Sequence, residues 1–275
     1  MSNYKIVASD LDGTLLNSNF KISDENLLAI EEISKKGVQF VPSTGRTYSE
    51  IYDEIKNNSN VRYIICSNGT VVFDKLTKNK ILMCMSKPVA KKIFDILYSY
   101  ETHITYRYDG NSYVDADYQD EKSYKYYKVW ENHISVIKNF SIPISDFKET
   151  SYSIDNIETI AAFFHNDDDL EKAKEEILKI GGLIVTAACD HSLEIFSDKA
   201  GKGNALYKLC DMLNVDYKDT ISVGDSDNDA SITKAAGLGL ATKNACDSLK
   251  EIADNVICSN DEHIVKYVLE NYIEE

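Results

Sequence analysis

The sequence predicts an α/β protein: a doubly wound, Rossmann-like parallel sheet with a smaller α+β domain inserted into it. The first third of the chain alternates short apolar runs with amphipathic segments, which is typical of β-α-β-α-β units. The last third returns to this pattern, whereas the middle third is rich in tyrosine and acidic residues and lacks it. We therefore expect residues 1–86 and 192–275 to form one core domain, and residues 87–191 to form the inserted domain.

Apolar runs, and the residues that stop them, predict the elements of the first third. The first strand covers Tyr4 to Ala8 and stops before Asp10. A helix begins after the N-cap residue Ser23 and ends at Gly37. Next come a strand at 38–41, a helix at about 47–56, a strand at 63–66, and a hairpin formed by 71–73 and 81–85.

The other two thirds are assigned by the same reasoning. The predicted insertion contains a helix at 87–100, a turn at 109–111, a strand at 157–164, a helix from Asp167 to Gly181, and strands at 183–187 and 193–196. The returning core contains a helix at 203–213, a strand at 220–223, a helix from about 227, short strands near Leu238 and Val256, and a helix at 261–272.

Charge and composition exclude several classes of partner. The chain has 30 basic and 45 acidic residues, a net charge of −15, so we expect it to repel nucleic acids and anionic membrane surfaces. No stretch reaches the roughly 18 apolar residues that span a bilayer. No signal-peptide pattern is present, and the six cysteines form no C-x-x-C pair. We expect a cytoplasmic protein with reduced, buried cysteines.

Polar, reactive residues follow three of the apolar runs. They are the segments Asp10-Leu11-Asp12-Gly13-Thr14, Ser43-Thr44-Gly45-Arg46 and Gly224-Asp225-Ser226-Asp227-Asn228-Asp229. In a doubly wound sheet the carboxyl ends of the strands line the ligand crevice, so these segments are expected to converge. Each segment alone is also typical of an ordinary turn or helix start.

The acidic residues of these segments predict a divalent cation. Asp10 and Asp12 lie two residues apart at a strand end, and Asp225 and Asp229 follow another strand. Four carboxylates in one crevice repel one another unless a proton or a cation intervenes, and Mg²⁺ prefers such oxygen ligands. A calcium loop of the EF-hand type is excluded because Ala230 stands where that loop needs glycine.

A basic partner for a phosphate is expected at Lys202, between two glycines and just before a helix. An ordinary exposed lysine is the alternative, and Lys199 is a second candidate. A P-loop is excluded, since Phe196 and Gly203 stand where it requires glycine and serine or threonine. The dinucleotide fingerprint fails at Thr242.

Four motifs in this order resemble the haloacid dehalogenase superfamily of phosphatases, and more narrowly its Cof-type branch. They are the three segments above and Lys202-Gly203-Asn204-Ala205-Leu206. In that branch a large α/β cap is inserted between the second and third motifs, where residues 87–191 lie here. The resemblance covers the whole chain. It implies a Mg²⁺-dependent phosphatase that hydrolyses small phosphorylated metabolites, such as sugar phosphates or phosphorylated cofactors, through an aspartyl-phosphate intermediate.

The resemblance also implies residue roles. Asp10 is expected to be the nucleophile and Asp12 the general acid and base, with Thr44 and Lys202 completing the catalytic set. Phosphoryl oxygens are expected to be held by the backbone of Leu11 and by Thr44, Gly45, Lys202 and Asn228. The metal ligands are expected from Asp10, the backbone carbonyl of Asp12, Asp225, and Ser226 or Asp229 in or near the coordination shell. Asn68 and Gly69 match a segment near the substrate entrance, or form an ordinary hairpin turn.

Other functions stay open on the sequence alone. A phosphomutase has a similar fold and nucleophile, but it needs a phosphate-binding cap, and residues 122–128 are only mildly basic. A non-enzymatic homologue that binds phosphate or Mg²⁺ is a further possibility. A receiver-like domain is disfavoured because it has no inserted cap. In the insertion, the tyrosines and His191 are candidates for leaving-group contacts, although aromatic residues also pack small domains.

Overall fold

Two units divide the chain in the computed structural model, which describes residues 4–187 and 190–273. The first unit comprises residues 4–45, 51–81 and 201–273. The second comprises residues 46–50 and the described part of 82–200. It contains the predicted insertion, residues 87–191, together with the short segments on either side of it and residues 46–50.

The strands and α-helices follow one another in chain order. The strands are β1 (Ile6–Ser9), β2 (Gln39–Pro42), β3 (Tyr63–Cys66), β4 (Val71–Asp74), β5 (Lys80–Leu82), β6 (Thr102–Tyr108), β7 (Asn111–Asp115), β8 (Ser141–Ile144), β9 (Thr159–Phe164), β10 (Leu183–Thr186), β11 (Ser192–Ser197), β12 (Thr220–Gly224), β13 (Leu238–Ala241) and β14 (Asn255–Val256). The α-helices are α1 (Asp24–Lys35), α2 (Asp53–Lys56), α3 (Lys87–Leu97), α4 (Glu121–Tyr126), α5 (Glu131–Phe140), α6 (Phe147–Ser153), α7 (Asp167–Leu178), α8 (Lys202–Leu213), α9 (Ala230–Ala235), α10 (Asp247–Ile252) and α11 (Ile264–Val268).

A five-stranded parallel sheet in the order β14-β13-β12-β1-β2 forms the centre of the first unit. Every residue of β1 and β12 is buried, as the apolar runs predicted for strands covered on both faces. Helix α1 packs with α11, and α8 packs with α9. The predicted α/β class with a parallel sheet is confirmed, and the carboxyl ends of β1, β2 and β12 lie side by side.

The predicted third strand of this sheet pairs differently. β3 belongs to a separate three-stranded sheet, β3-β4-β5, and pairs antiparallel with β4. It meets the end of β2 through one parallel bridge, Ser43 to Ile65, supported by the N–H of Thr44 donating to the Ile65 carbonyl at 2.9 Å. This bridge places the loop after β3 beside the loop after β2.

The predicted helix at 47–56 is wrong, because two shorter elements replace it. A 3₁₀ turn covers Tyr48–Glu50, and α2 starts only after Tyr52, whose ψ of 144° is extended. The carboxylate of Glu50 accepts the N–H of Thr47 at 3.0 Å, and the N–H of Ser49 donates to the Gly110 carbonyl at 2.9 Å. These bonds replace the helical ladder, which the residue pattern alone does not reveal.

The second unit is built on a six-stranded sheet in the order β10-β11-β9-β6-β7-β8. All neighbouring strands are antiparallel except β7 and β8, which run parallel. Helices α3 and α7 pack against each other, and residues of both join an apolar cluster with alternate residues of β6, β9 and β11. The predicted α+β character of the inserted domain matches this architecture.

The chain ends in a shorter helix than predicted. α11 begins at Ile264 rather than 261, and residues Leu269–Ile273 continue it as a wider π turn. Among the described residues no helix combines the length and apolarity that crossing a membrane would require.

Close packing of α8 against α9 depends on Gly203. A Cβ at this position would lie 2.4 Å from the backbone carbonyl oxygen of Ser231, a contact that real Cβ atoms essentially never make. We predict that Gly203→Ala lowers the free energy of unfolding by about 1–3 kcal/mol, because the helices must move apart. Lys208→Ala, at an exposed position of the same helix, should change it by less than about 0.5 kcal/mol. Chemical denaturation checks both values, and equal effects would contradict the packing argument.

Candidate active site

The loop after β1 carries Asp10 into a closely packed corner of the first unit. Its N–H donates to the Val223 carbonyl of β12 at 2.9 Å, and its side chain is buried. A turn at Leu11–Leu15 follows, with Gly13 at a φ of 78°. A Cβ on Gly13 would lie 2.3 Å from Oδ2 of Asp225, so only glycine allows this approach. Thr14 donates its hydroxyl to Oδ1 of Asp225 at 3.0 Å.

Lys202 connects three segments of the chain. Its side chain is buried, and its Nζ lies 2.7 Å from Oδ1 of Asp10 and 2.6 Å from Oδ1 of Asp229. Lys202 opens α8 directly after Gly201, whose φ of 113° favours glycine. One ammonium group therefore holds the loop after β1 and the loop after β12 against the start of α8.

Asp229 is fixed by hydrogen bonds on both carboxylate oxygens. Oδ1 accepts from Lys202, while Oδ2 accepts from the backbone N–H groups of Asp225 and Ser226 at 3.0 and 3.2 Å. The residue is fully buried, and it closes a capping box with Ser226 at the start of the Asp227–Asp229 turn. Gly224 must be glycine, since a Cβ there would lie 2.5 Å from the Asp229 side chain.

Burial and mutual repulsion shape the electrostatics of this corner. Burial raises the pKa of Asp10 well above its usual value, with Lys202 opposing this effect and Asp229 adding to it. Burial, followed by repulsion from Asp229, raises the pKa of Asp225 to about 6. For Lys202, burial favours the neutral form, but the two carboxylates outweigh it and raise the pKa above its ordinary value. The corner therefore holds more negative charge than one lysine can balance.

The same acidic residues fit a divalent cation with oxygen ligands. One carboxylate oxygen from each of Asp10, Asp225 and Asp229 lies within 4.8 Å of the others. Burial and repulsion from neighbouring carboxylates raise the pKa values of Asp10 and Asp225. A cation bound between these carboxylates would offset their negative charge. Asp12 is half-buried and is not one of these three acids. The hydroxyl of Ser226 donates to Oδ1 of Asn228 at 2.8 Å.

Residues predicted to bind phosphate lie around Asn68. The N–H of Asn68 donates to the Thr44 carbonyl at 3.1 Å, and its Oδ1 accepts from Nδ2 of Asn228 at 3.3 Å. A Cβ on Gly45 would lie 3.0 Å from the same Oδ1. Asn68 has a left-handed backbone, with a φ of 53°, and its carbonyl accepts the N–H of Gly201 at 3.1 Å. Thr44, Gly45 and Asn228 thus share one neighbour.

The structure therefore brings together the side chains of Asp10, Lys202, Asp225 and Asp229 from three of the motifs. The roles predicted for the backbone of Leu11, for Asp12, for Thr44 and for the other phosphate-binding residues remain predictions. Sequence reasoning gave no role to Thr14, although its place in the Asp-Gly-Thr motif was a usable signal.

Comparison with known proteins agrees with this geometry. The sequence pattern of the haloacid dehalogenase-like hydrolases matches residues 7–269. The chain is 31% identical to the 5-amino-6-(5-phospho-D-ribitylamino)uracil phosphatase YwtE of Bacillus subtilis, over 98% of each chain. It is 30% identical to phosphatase YwpJ of the same organism, over 98% of this chain and 100% of the relative. The crystal structure of TM0651 from Thermotoga maritima superposes with a TM-score of 0.81, at 26% identity over 97% of both chains.

These matches span nearly the full length of both partners and cover the positions of all four motifs. The chain therefore belongs to the haloacid dehalogenase-like hydrolase family and, within it, to the phosphatases.

Proposed function

We propose that this enzyme is a Mg²⁺-dependent phosphatase that hydrolyses small phosphorylated metabolites through an aspartyl-phosphate on Asp10. The observation that carries the proposal is the position of Asp10, buried at the end of β1, bonded through Oδ1 to Lys202 and beside Asp225 and Asp229. A carboxylate held in this way presents its second oxygen for attack. The three acids, which can hold Mg²⁺, and the buried lysine also suit phosphoryl transfer, in which the negative charge of the phosphoryl group has to be neutralised.

The reaction has two steps, transfer of the phosphoryl group to Asp10 and its hydrolysis. In the first, a carboxylate oxygen of Asp10 forms a bond to phosphorus, the ester P–O bond breaks, and Asp12 donates a proton to the departing alcohol. In the second, water attacks the same phosphorus while Asp12 takes its proton, and the Asp10–phosphorus bond breaks to release inorganic phosphate. Half-buried Asp12 has access to solvent for this exchange, whereas Asp10 is buried.

The metal site is assigned to the three acids together with the backbone carbonyl of Asp12. Bound Mg²⁺ would supply positive charge for the phosphoryl oxygens. Asp10 and Asp225 are the better candidates for direct ligands, because Asp225 is half-buried and its Oδ1 is held by Thr14. Both oxygens of Asp229 already accept hydrogen bonds, which favours a supporting role for Asp229 and, in the same loop, for Ser226.

The remaining phosphoryl contacts are assigned to the residues that meet at Asn68. Thr44, Gly45 and Asn228 would offer hydrogen bonds to the non-bridging oxygens, together with the N–H of Leu11 and the ammonium group of Lys202. Fixed donors of this kind stabilise charge that develops during phosphoryl transfer, and they need no rearrangement during the reaction.

Substrate choice is assigned to the second unit, acting as a cap. Residues of the first unit would contact the phosphoryl group, which all phosphomonoesters share, so discrimination must come from elsewhere. The relative YwtE is named as a phosphatase of a phosphorylated ribitylaminouracil, which is consistent with a small hydroxylated metabolite as the substrate class.

A cytoplasmic location is part of the same proposal. Among the described cysteines, Cys210, which is buried, and Cys246 and Cys258, which are half-buried, carry free thiols. Cys189 lies outside the described residues. Free thiols suit a reducing compartment.

Replacing the nucleophile should abolish turnover. We predict that Asp10→Asn lowers kcat for a phosphomonoester more than about a thousandfold, since an amide oxygen is a poor nucleophile. Asp211→Asn, on the exposed surface of α8, should leave kcat unchanged. Steady-state assays of both purified variants check this prediction. An Asp10→Asn enzyme that keeps near wild-type turnover would refute the nucleophile assignment.

Metal binding should be visible in stability as well as in activity. Chelation should abolish turnover, and Mg²⁺ at a hundred times its Kd should stabilise the wild-type fold by about 2.7 kcal/mol. Asp225→Asn should lose most of this gain, because it removes both a ligand and a repelling charge. Asp227→Asn serves as the control, since this exposed neighbour instead accepts the hydroxyl of Ser248 at 2.5 Å. Equal Mg²⁺ stabilisation of both variants would place the ion elsewhere.

A further inference from the structure

The loops after two further strands of the parallel sheet contact the turn that carries Asp12. β13 and β14 lie on the far side of β12 from β1, and all five strands are parallel, so their carboxyl ends share one edge of the sheet. Asn244 lies three residues after the end of β13, and Asn260 lies four residues after the end of β14. Neither asparagine belongs to the four motifs.

Asn244 and Asn260 form a chain of hydrogen bonds onto this turn. Nδ2 of Asn244 donates to the carbonyl of Gly13 at 2.8 Å, and Oδ1 of Asn244 accepts the N–H of Asn260 at 3.0 Å. Nδ2 of Asn260 then donates to the carbonyl of Leu16 at 3.0 Å. The two side chains therefore hold one carbonyl within the turn and one directly after it.

Backbone hydrogen bonds fix the segment around Asn244 to the loop after β12. The N–H of Thr242 donates to the Gly224 carbonyl at 3.0 Å, and the N–H of Cys246 donates to the Asp225 carbonyl at 2.8 Å. These bonds lie on either side of Asn244 in the chain. Its side chain is thus attached to a segment that is held at both ends.

Asn260 is anchored in a similar way. The N–H of Lys243 donates to the Cys258 carbonyl at 3.1 Å, which joins the loop after β14 to the loop after β13. Asp261, next to Asn260, accepts both the N–H and the hydroxyl of Ser18 at 2.8 Å. Asn260 therefore lies between two attachments, one to the loop after β13 and one to the chain just beyond the turn.

Gly13 explains why the turn requires support from outside. Its φ of 78° and the close approach of Asp225 require glycine, and glycine leaves the backbone on both sides of it free to rotate. Asp12, directly before it, has a φ of −76° and a ψ of 118°, which are not helical values. The bond from Asn244 to the Gly13 carbonyl restricts this rotation, and so it fixes the direction in which the backbone presents Asp12.

We propose that Asn244 and Asn260 are positioning residues for Asp12, and that their hydrogen bonds to the turn keep its carboxyl group aimed at the oxygen of the departing alcohol. This inference rests on the proposed function, which assigns the proton transfers to Asp12. A general acid has to lie within hydrogen-bond distance of the oxygen that it protonates, so a turn that rotates loses part of the benefit. Neither asparagine contacts the reacting atoms, and both act through the turn.

The test compares two esters of similar size that differ in their need for a proton. Benzyl phosphate releases a strongly basic alkoxide unless Asp12 protonates it, whereas 4-nitrophenyl phosphate releases a stabilised phenolate that departs without a proton. At saturating Mg²⁺, Asn244→Ala and Asn260→Ala should each lower kcat/KM about tenfold more for the benzyl ester than for the 4-nitrophenyl ester, which is part of the contribution of a well-placed general acid. A loss of folded enzyme would instead lower both values by the same factor.

Two further variants calibrate the ratio of benzyl to 4-nitrophenyl kcat/KM. Asp12→Asn should lower this ratio further than either asparagine variant, because it removes the proton donor itself. The matched control is Asn271→Ala, since the exposed side chain of Asn271 also donates to a backbone carbonyl at 2.8 Å, that of Tyr267. This control should leave the ratio unchanged.

Unchanged ratios in both asparagine variants would overturn the proposal, as would equal losses on both esters or a matching fall in Asn271→Ala. A ratio that does not fall in Asp12→Asn would also overturn it, as would a wild type that hydrolyses only the 4-nitrophenyl ester, because such an enzyme has no effective general acid. If hydrolysis of 4-nitrophenyl phosphate depends on Asp10 while the asparagine variants leave the ratio unchanged, only the positioning inference fails. Hydrolysis that is absent, or independent of Asp10, overturns the proposed function and this inference together.

Discussion

The buried ammonium group of Lys202 is the interaction on which the acidic corner depends. It lies 2.7 Å from Asp10 and 2.6 Å from Asp229, and none of its side-chain surface is exposed. Removing one member of a buried ion pair leaves an uncompensated charge, which commonly costs about 3–5 kcal/mol. Three distant stretches of the chain are thus held together by a contact that none of them can lose without a large penalty. The same contact orients the carboxylate of Asp10, the proposed nucleophile.

One lysine does not neutralise three acids. Burial raises the pKa values of Asp10 and Asp225, and repulsion from neighbouring carboxylates adds to this effect. At Gly13 no side chain fits between the first loop and Asp225. A corner of this kind attracts a small cation and, with the cation bound, tolerates a phosphoryl group. The same logic explains how a protein with a net charge of −15 can act on anionic substrates. The excess negative charge lies in the acidic corner, and a cation bound there would neutralise it.

The sequence predicted those parts of the fold that depend only on residues close to one another in the chain. The strands β1, β2 and β12 coincide with predicted apolar runs, and the residues after β1 and β12 supply the acids. The helix predicted at 47–56 failed because Glu50 and Ser49 bond to partners that no periodicity reveals. Asn68 was recognised only by resemblance, yet its left-handed backbone joins the loops of Thr44, Gly201 and Asn228. The ion pairs of Arg107 with Glu50 and Glu194 were not predicted, because the three residues come from separate segments and become neighbours only in the folded chain.

The most direct test of the account is a double-mutant cycle on the free energy of unfolding, using Lys202→Met, Asp229→Asn and the double variant. We expect Lys202→Met alone to destabilise the metal-free fold by about 3–5 kcal/mol, because two buried carboxylates lose the lysine that pairs with both of them. Adding Asp229→Asn should recover part of this loss, giving an interaction energy of about 1–3 kcal/mol. Effects that add to within about 0.5 kcal/mol would show that the two side chains act independently and would contradict the central role of Lys202.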